Sequence, residues 1–152
     1  MTAPPDTRLP DTRLPARTFS VSIRCEWQAL YEQIWRPETF ARWAAGLADS
    51  ALRQDGNRWV ADGSDGPVAL RFTPHNPFGV MDHWVDQGSA GDEINASGEI
   101  YVPLRVIANG TGAEVLLTLY RQPGMTDEHF AADIELINRD LRSLKTLIER
   151  AG

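Results

Sequence analysis

The chain has 152 residues, 42% of them hydrophobic and 24% charged, with a formal net charge of -6, enough for one globular domain that buries roughly 68 to 70% of its unfolded surface. An acidic surface repels nucleic-acid backbones and anionic membranes at long range, so neither is expected as the main partner. Cys25 is the single cysteine, which excludes an internal disulfide. With no export signal in the sequence and no apolar run of membrane-spanning length, a cytoplasmic protein without membrane insertion is expected.

Residues 1–17 carry four prolines and a direct repeat, Asp6-Thr7-Arg8-Leu9-Pro10 followed by Asp11-Thr12-Arg13-Leu14-Pro15. Two copies of five residues cannot build a solenoid, and the composition predicts a disordered tail ahead of a single domain over 18–152. From Thr18 to Arg24 the apolar residues alternate, with Phe19, Val21 and Ile23 on one side, the pattern of a half-buried strand. Trp27, Leu30, Tyr31, Ile34 and Trp35 then follow at helical spacing. Pro37 stops that helix and opens a second, in which Phe40, Trp43, Ala44 and Leu47 share a face.

Strand-like runs come next: Ala51 to Gln54, Asn57 to Ala61, Val68 to Thr73 and Phe78 to Asp86, separated by turn signals that include Asp55-Gly56 and Asn76-Pro77. Glu99 to Ile107 and Ala113 to Arg121 flank Asn109-Gly110, the clearest hairpin signal of the chain. With Asn109 and Gly110 as the turn, Ala108 faces Thr111 and Arg105 faces Glu114 as a cross-strand charge pair. Ile100, Val102, Leu104 and Val106 then share a face with Val115, Leu117 and Leu119, while Tyr101, Arg105, Leu116, Thr118 and Tyr120 take the other. Arg121 ends the inner face, either as a polar group at a cavity rim or as a solvated strand end paired with a carboxylate such as Asp127.

The last segment is the most strongly specified. Phe130, Ile134, Ile137, Leu141, Leu144 and Ile148 recur at steps of four and three along a helix of about seven turns, and such a stripe has to be covered. Thr126 caps its start, Asp127 and Glu128 suit the positive end of the dipole, and Lys145 and Arg150 suit the negative end. One long helix lying across a curved antiparallel sheet is the expected arrangement, a geometry that can leave an apolar cavity between the two layers.

This order of elements, with Phe19-Ser20-Val21-Ser22-Ile23, Trp35-Arg36-Pro37-Glu38-Thr39-Phe40-Ala41-Arg42-Trp43 and the terminal amphipathic helix, resembles the START-like or SRPBCC superfamily over about residues 18–152. Within it the chain looks most like bacterial polyketide cyclase/dehydrase and lipid-transport-like proteins. The resemblance implies an α+β helix-grip fold, a seven-stranded antiparallel sheet wrapped around the C-terminal helix with two short helices after the first strand. It also implies the binding of lipids, sterols, aromatic polyketides, hormones or quinones, with only some members being enzymes.

For proton transfer the candidates are His75, His83 and His129, with Asp82, Glu99 and Tyr101 as possible partners. Asp82 and His83 are neighbours on a strand and point to opposite faces. His83 shares parity with Met81 and Val85 and is favoured inward, although Val80 and Trp84 give the Asp82 side an equally apolar appearance. Zinc spacing, a nucleophile elbow and a phosphate-cradling loop are all missing, and Gly110-Thr111-Gly112 joins two strands rather than a strand to a helix, so neither cofactor nor metal is expected. The candidate lining of the cavity is Trp43, Phe72, His83, Tyr101, Val102, Leu117, Arg121, Phe130 and Ile134. The expected activity is binding of a small hydrophobic or aromatic ligand by a monomer or homodimer. The alternatives are a polyketide cyclase or aromatase with His83 as its acid-base residue, and a helper domain that docks on another protein.

Overall fold

The computed structural model describes residues 13–44, 52–63, 66–86 and 99–151. The expected mobile repeat up to Thr12, the Leu47 end of the second helix and the loop Gly88 to Gly91 therefore lie outside the described residues. In chain order the elements are β1 (Ala16–Ile23), α1 (Trp27–Ile34), α2 (Pro37–Phe40), β2 (Arg53–Asp55), β3 (Arg58–Gly63), β4 (Gly66–Phe72), β5 (His83–Asp86), β6 (Glu99–Val102), β7 (Leu104–Asn109), β8 (Gly112–Tyr120) and α3 (Asp127–Ala151). β1 begins at Ala16, opposite Tyr120, two residues before the strand start expected at Thr18.

All strand pairs are antiparallel, in the orders β1-β8-β7 and β2-β3-β4-β5-β6. The two sheets meet where β6 runs through Pro103 into β7. The run expected as one strand from Glu99 to Ile107 is thus bent, because proline has no N–H to give to a ladder. The Pro103 carbonyl still accepts from Thr118 N at 3.0 Å, which keeps the bent strand beside β8. Counted as one, β6 and β7 give the seven strands expected.

Two hairpin turns differ from expectation in the same way. Asn109 stays in its strand opposite Gly112 and the turn is Gly110-Thr111; Asp55 stays opposite Arg58 and the turn is Gly56-Asn57. In each the glycine takes the first turn position with positive φ, +57° at Gly110 and +62° at Gly56, where a side chain is disfavoured. Sliding the last hairpin by this step leaves its faces unchanged but moves each partner by two. Arg105 is opposite Leu116, not Glu114, and the expected Arg105–Glu114 pair does not form. Glu114 instead accepts from Ser22 Oγ and Asn109 Nδ2.

β5 is shorter than the run from Phe78 to Asp86. Asn76 Oδ1 accepts from the N–H groups of Phe78 and Val80, and Asn76 Nδ2 donates to Val80 O, holding this stretch as a side-chain-tied turn. Gly79, with φ +70°, lies so close to Val106 O that a Cβ would sit 2.3 Å from it.

α1 is capped by Glu26, whose Oε2 accepts from Ala29 N at 2.8 Å. α2 carries Pro37 in its first turn and ends at Phe40, earlier than the span to Leu47 expected; Trp43 and Ala44 follow in a turn and are still buried. α3 starts as expected, with Thr126 Oγ1 accepting from His129 N at 3.0 Å. Its C-terminal half is fastened to the edge strand: Lys145 Nζ donates to Ser22 O and Arg24 N donates to Glu149 Oε2. Leu141, Leu144 and Ile148 enter one core with Ile23, Leu30, Ile34, Leu104, Val106 and Val115. Each fully buried side chain of this kind contributes roughly 1.5 to 3 kcal/mol.

Candidate functional site

The two faces of the bent sheet carry different chemistry. On the inner face, alternation along β5 turns His83 and Val85 toward the core, and His83 is 1% exposed. Its ring meets Phe40 at 4.9 Å and Phe72 at 5.8 Å, and Phe40 in turn meets Phe72 at 5.3 Å and Trp43 at 4.9 Å. These edge and tilted arrangements are the preferred ones for aromatic pairs. Four rings from α2, the following turn, β4 and β5 thereby form an aromatic wall, with Phe40 touching the other three.

Two polar atoms in this wall have no hydrogen-bond partner among the described residues: His83 Nε2 and Trp43 Nε1. The other imidazole nitrogen, Nδ1, is 3.2 Å from Met81 O. A carbonyl only accepts, so Nδ1 carries the proton and Nε2 presents a lone pair. Burial lowers the His83 pKa to about 4, against smaller opposing effects of Met81 O and Asp82. The ring is neutral at pH 7.

On the outer face, Asp82 is buried by its partners rather than by the core. Its Oδ1 accepts from Leu104 N and Arg105 Nε, and its Oδ2 accepts from Tyr101 OH at 2.6 Å and Arg105 Nη2 at 2.8 Å. Burial alone would raise this carboxyl, but the hydrogen bonds from Arg105, Tyr101 and Leu104 outweigh it and hold the pKa below the ordinary carboxylate value. The same bond to Asp82, with some burial, raises the Tyr101 hydroxyl. Tyr101 also stacks on Trp84 at 5.3 Å and lies parallel to Tyr120 at 6.4 Å, and Arg71 covers Trp84 at 4.2 Å while pairing with Glu99.

Of the residues expected to line a cavity, the structure gathers Trp43, Phe72 and His83 in the aromatic wall. Val102 lies opposite His83 and Leu117 opposite Leu104, both buried on the inner face. Phe130 and Ile134 are half-buried on α3. Tyr101 is a correction: it stands on the outer face, 36% exposed, because its position alternates with Ile100 and Val102. Arg121 takes the plainer of its two expected roles. Nη1 pairs with Asp127 Oδ1 at 2.7 Å, Nη2 donates to Met125 O, and the guanidinium lies over the Phe130 ring. It fastens the start of α3 to the end of β8.

The remaining histidines stand away from the aromatic wall. His75 packs on Tyr31 and Trp35 and bonds Glu32 at 2.7 Å, and exposed His129 faces Asp133 one turn on. Sequence reasoning did not single out Phe40 as the hub, although its i, i+3 spacing to Trp43 was visible. It also missed Asp133, one step from Ile134 on α3, whose carboxyl pKa is pushed up by burial. A separate cleft of about 610 Å³ opens at the end of the sheet between β1, the β7–β8 turn and α3, lined by Cys25, Asn109 and Lys145 among others. It holds none of the expected lining residues.

No protein-family model and no curated protein matches this sequence. Solved structures do. XoxI from Bacillus cereus superposes with a TM-score of 0.67 at 12% identity, over 87% of this chain and 94% of that one. Ara h 8.0201 gives 0.62 at 8%, over 90% and 99%, and the Aha1 dimer from Colwellia psychrerythraea, solved in solution, gives 0.63 at 12%, over 88% and 95%. This is the helix-grip fold. The likeness extends across nearly the whole of each partner chain, so the short helices, the bent sheet and α3 all belong to it. At these identities it speaks for fold alone. Among the described residues no helix is long and apolar enough to cross a membrane.

Proposed function

We propose that this protein binds a small hydrophobic or aromatic molecule between the inner face of the sheet and the N-terminal half of α3. One observation carries the reading. The stripe of α3 is uneven: Leu141, Leu144 and Ile148 are buried, whereas Phe130, Ile134 and Ile137 on the same side of the helix are only half-buried. A purely structural stripe would be covered along its length. The partly exposed half is apolar, and α2, the turn after it, β4 and β5 supply the aromatic wall of Phe40, Trp43, Phe72 and His83. Burying the apolar area of a guest at about 25 cal/mol per Å² supplies affinity. The acid-base alternative has weaker support, since a histidine with a pKa near 4 is a poor proton acceptor at pH 7.

N-Phenyl-1-naphthylamine, a neutral fluorescent probe, tests this reading. Saturable one-to-one enhancement is expected with the wild-type chain, and Ile134→Trp should weaken binding at least tenfold by filling the space, with an unchanged far-UV circular dichroism spectrum. Undiminished binding by the folded variant would exclude this site.

A further inference from the structure

We infer that the interior ligand is an uncharged, hydroxyl-bearing aromatic molecule, one whose O–H donates to His83 Nε2 and which offers an oxygen to Trp43 Nε1–H. The inference rests on the reading above and adds the polar handle that an apolar space alone would not specify.

Both ring nitrogens belong to side chains 1% exposed, and neither has a hydrogen-bond partner among the described residues. Burying such a group unpaired forfeits its hydration without return, which is why nearly all buried polar atoms in folded proteins are paired. Two of them, both on rings that pack against Phe40 at 4.9 Å, are therefore a concentrated cost in a wall that is otherwise apolar. Their characters differ. With Nδ1 committed to Met81 O, His83 Nε2 can only accept, while the indole N–H can only donate. A hydroxyl answers both kinds of group, whereas a ketone oxygen has nothing to give His83 and a hydrocarbon leaves both nitrogens unpaired.

The charge of the ligand follows from what surrounds the wall. Among the described residues the buried polar and charged side chains are Asp82, His83, Asp86 and Asp140, with no lysine or arginine. His83 is neutral, and Asp133 beside Ile134 adds a carboxyl on α3. Arg121, which lies over the Phe130 ring, is committed to Asp127 and Met125 O. A carboxylate or phosphate brought inside would lose its hydration without gaining a counter-charge, so fatty acids and phosphorylated lipids are disfavoured against phenols and hydroxylated polycyclic molecules.

Equilibrium dialysis of 2-naphthol, naphthalene and 2-naphthoate at pH 7 against the full chain tests the handle separately from the cavity. 2-Naphthol should bind at least tenfold more tightly than either of the others, the size of one well-made hydrogen bond. His83→Phe keeps an aromatic ring of similar size and should bring 2-naphthol within threefold of naphthalene when both are measured on that variant. Trp43→Phe should lower 2-naphthol affinity at least threefold on the same criterion, and it decides the matter if the His83 variant does not fold. Equal binding of 2-naphthol and naphthalene by the wild type would overturn the handle while leaving the apolar site intact. Tighter binding of the carboxylate would overturn the assignment of charge, and no binding of any of the three would overturn the site and the handle together.

Discussion

Asp82 and His83 are consecutive in the chain and nearly equally buried, yet their surroundings are opposite. The carboxylate on the outer face receives four hydrogen bonds, from a bidentate guanidinium, a phenol and a backbone N–H. The imidazole on the inner face makes one, and its second nitrogen has no partner among the described residues. Both are buried polar groups, one just before β5 and one at its start, but only one is fully satisfied. A saturated buried charge is what a fold uses to fix its own register, and Asp82 does this by tying β5 to the β6–β7 bend. A polar atom left unmatched inside an aromatic wall adds nothing to that framework. The contrast separates a residue that serves the fold from one on which the proposed site draws.

Substitutions at the two positions should break the comparison in different ways. Asp82→Ala removes the acceptor of four bonds and leaves the Leu104 N–H buried without a partner, so a loss of about 3 kcal/mol in urea unfolding at pH 7 is expected, with Arg105 able to relax toward solvent. A loss below about 1 kcal/mol would show that the cluster is ornamental to stability. His83→Phe should change stability at pH 7 far less, because the neutral ring makes a single bond.

The difference at His83 should appear in acid. Its folded pKa, about 4, lies below the ordinary value of 6.5, so between those values the unfolded chain binds the proton that the folded chain refuses. Stability is intact above about pH 6.5 and falls as pH drops toward 4, by about 3 kcal/mol over that window. Unfolding of His83→Phe followed by urea from pH 7 to 4 should lack this portion of the decline. Asp82, whose folded pKa is below 3.8, contributes stability above that value and loses it only in stronger acid, so the two groups occupy separate windows. A wild-type chain whose stability is flat from pH 6.5 to 4.5 would contradict a neutral buried His83.

The smallest expected effect sharpens the outer cluster. Tyr101→Phe removes one of the four bonds to Asp82 while the ring stays stacked on Trp84, and a loss of about 1 kcal/mol is expected. Because Tyr101 is on the outer face, affinity for a guest in the inner site should stay within twofold of wild type. A larger loss of affinity would mean that the two faces communicate.

Much of this architecture is legible in the sequence wherever burial alone sets the pattern. The stripe of α3, the alternation of β1 and the inner face of β7 and β8 all follow from which side chains must leave water. Details settled by backbone geometry are less legible. Asn109-Gly110 and Asp55-Gly56 read as turn pairs, but in both hairpins the glycine alone enters the turn, since it is the residue that accepts positive φ, and Asn109 holds Glu114 from within the strand. Gly112 also passes against Ile23 O, where a Cβ would sit 2.8 Å away, an approach that no local signal announces. The site divides similarly. Parity puts Tyr101 outward, as the structure has it, so including Tyr101 in the lining runs against the alternation itself, whereas the choice between Asp82 and His83 is open because Val80 and Trp84 make the Asp82 side equally apolar. That Phe40 is the hub depends on how α2 folds onto β4 and β5, a long-range packing outcome that spacing along the chain does not contain.

Pro103 has a consequence beyond its missing N–H. It stands at the corner where the two sheets join, with its own carbonyl bonded to Thr118 N and its neighbours Leu104 and Arg105 bonded to Asp82. If the proposed inner site holds a guest, a change in the angle of that corner would change its room through an imino ring that stands outside the proposed lining. Selection on ligand size could therefore act at a residue outside the binding surface, by opening or closing the corner rather than by repainting the walls.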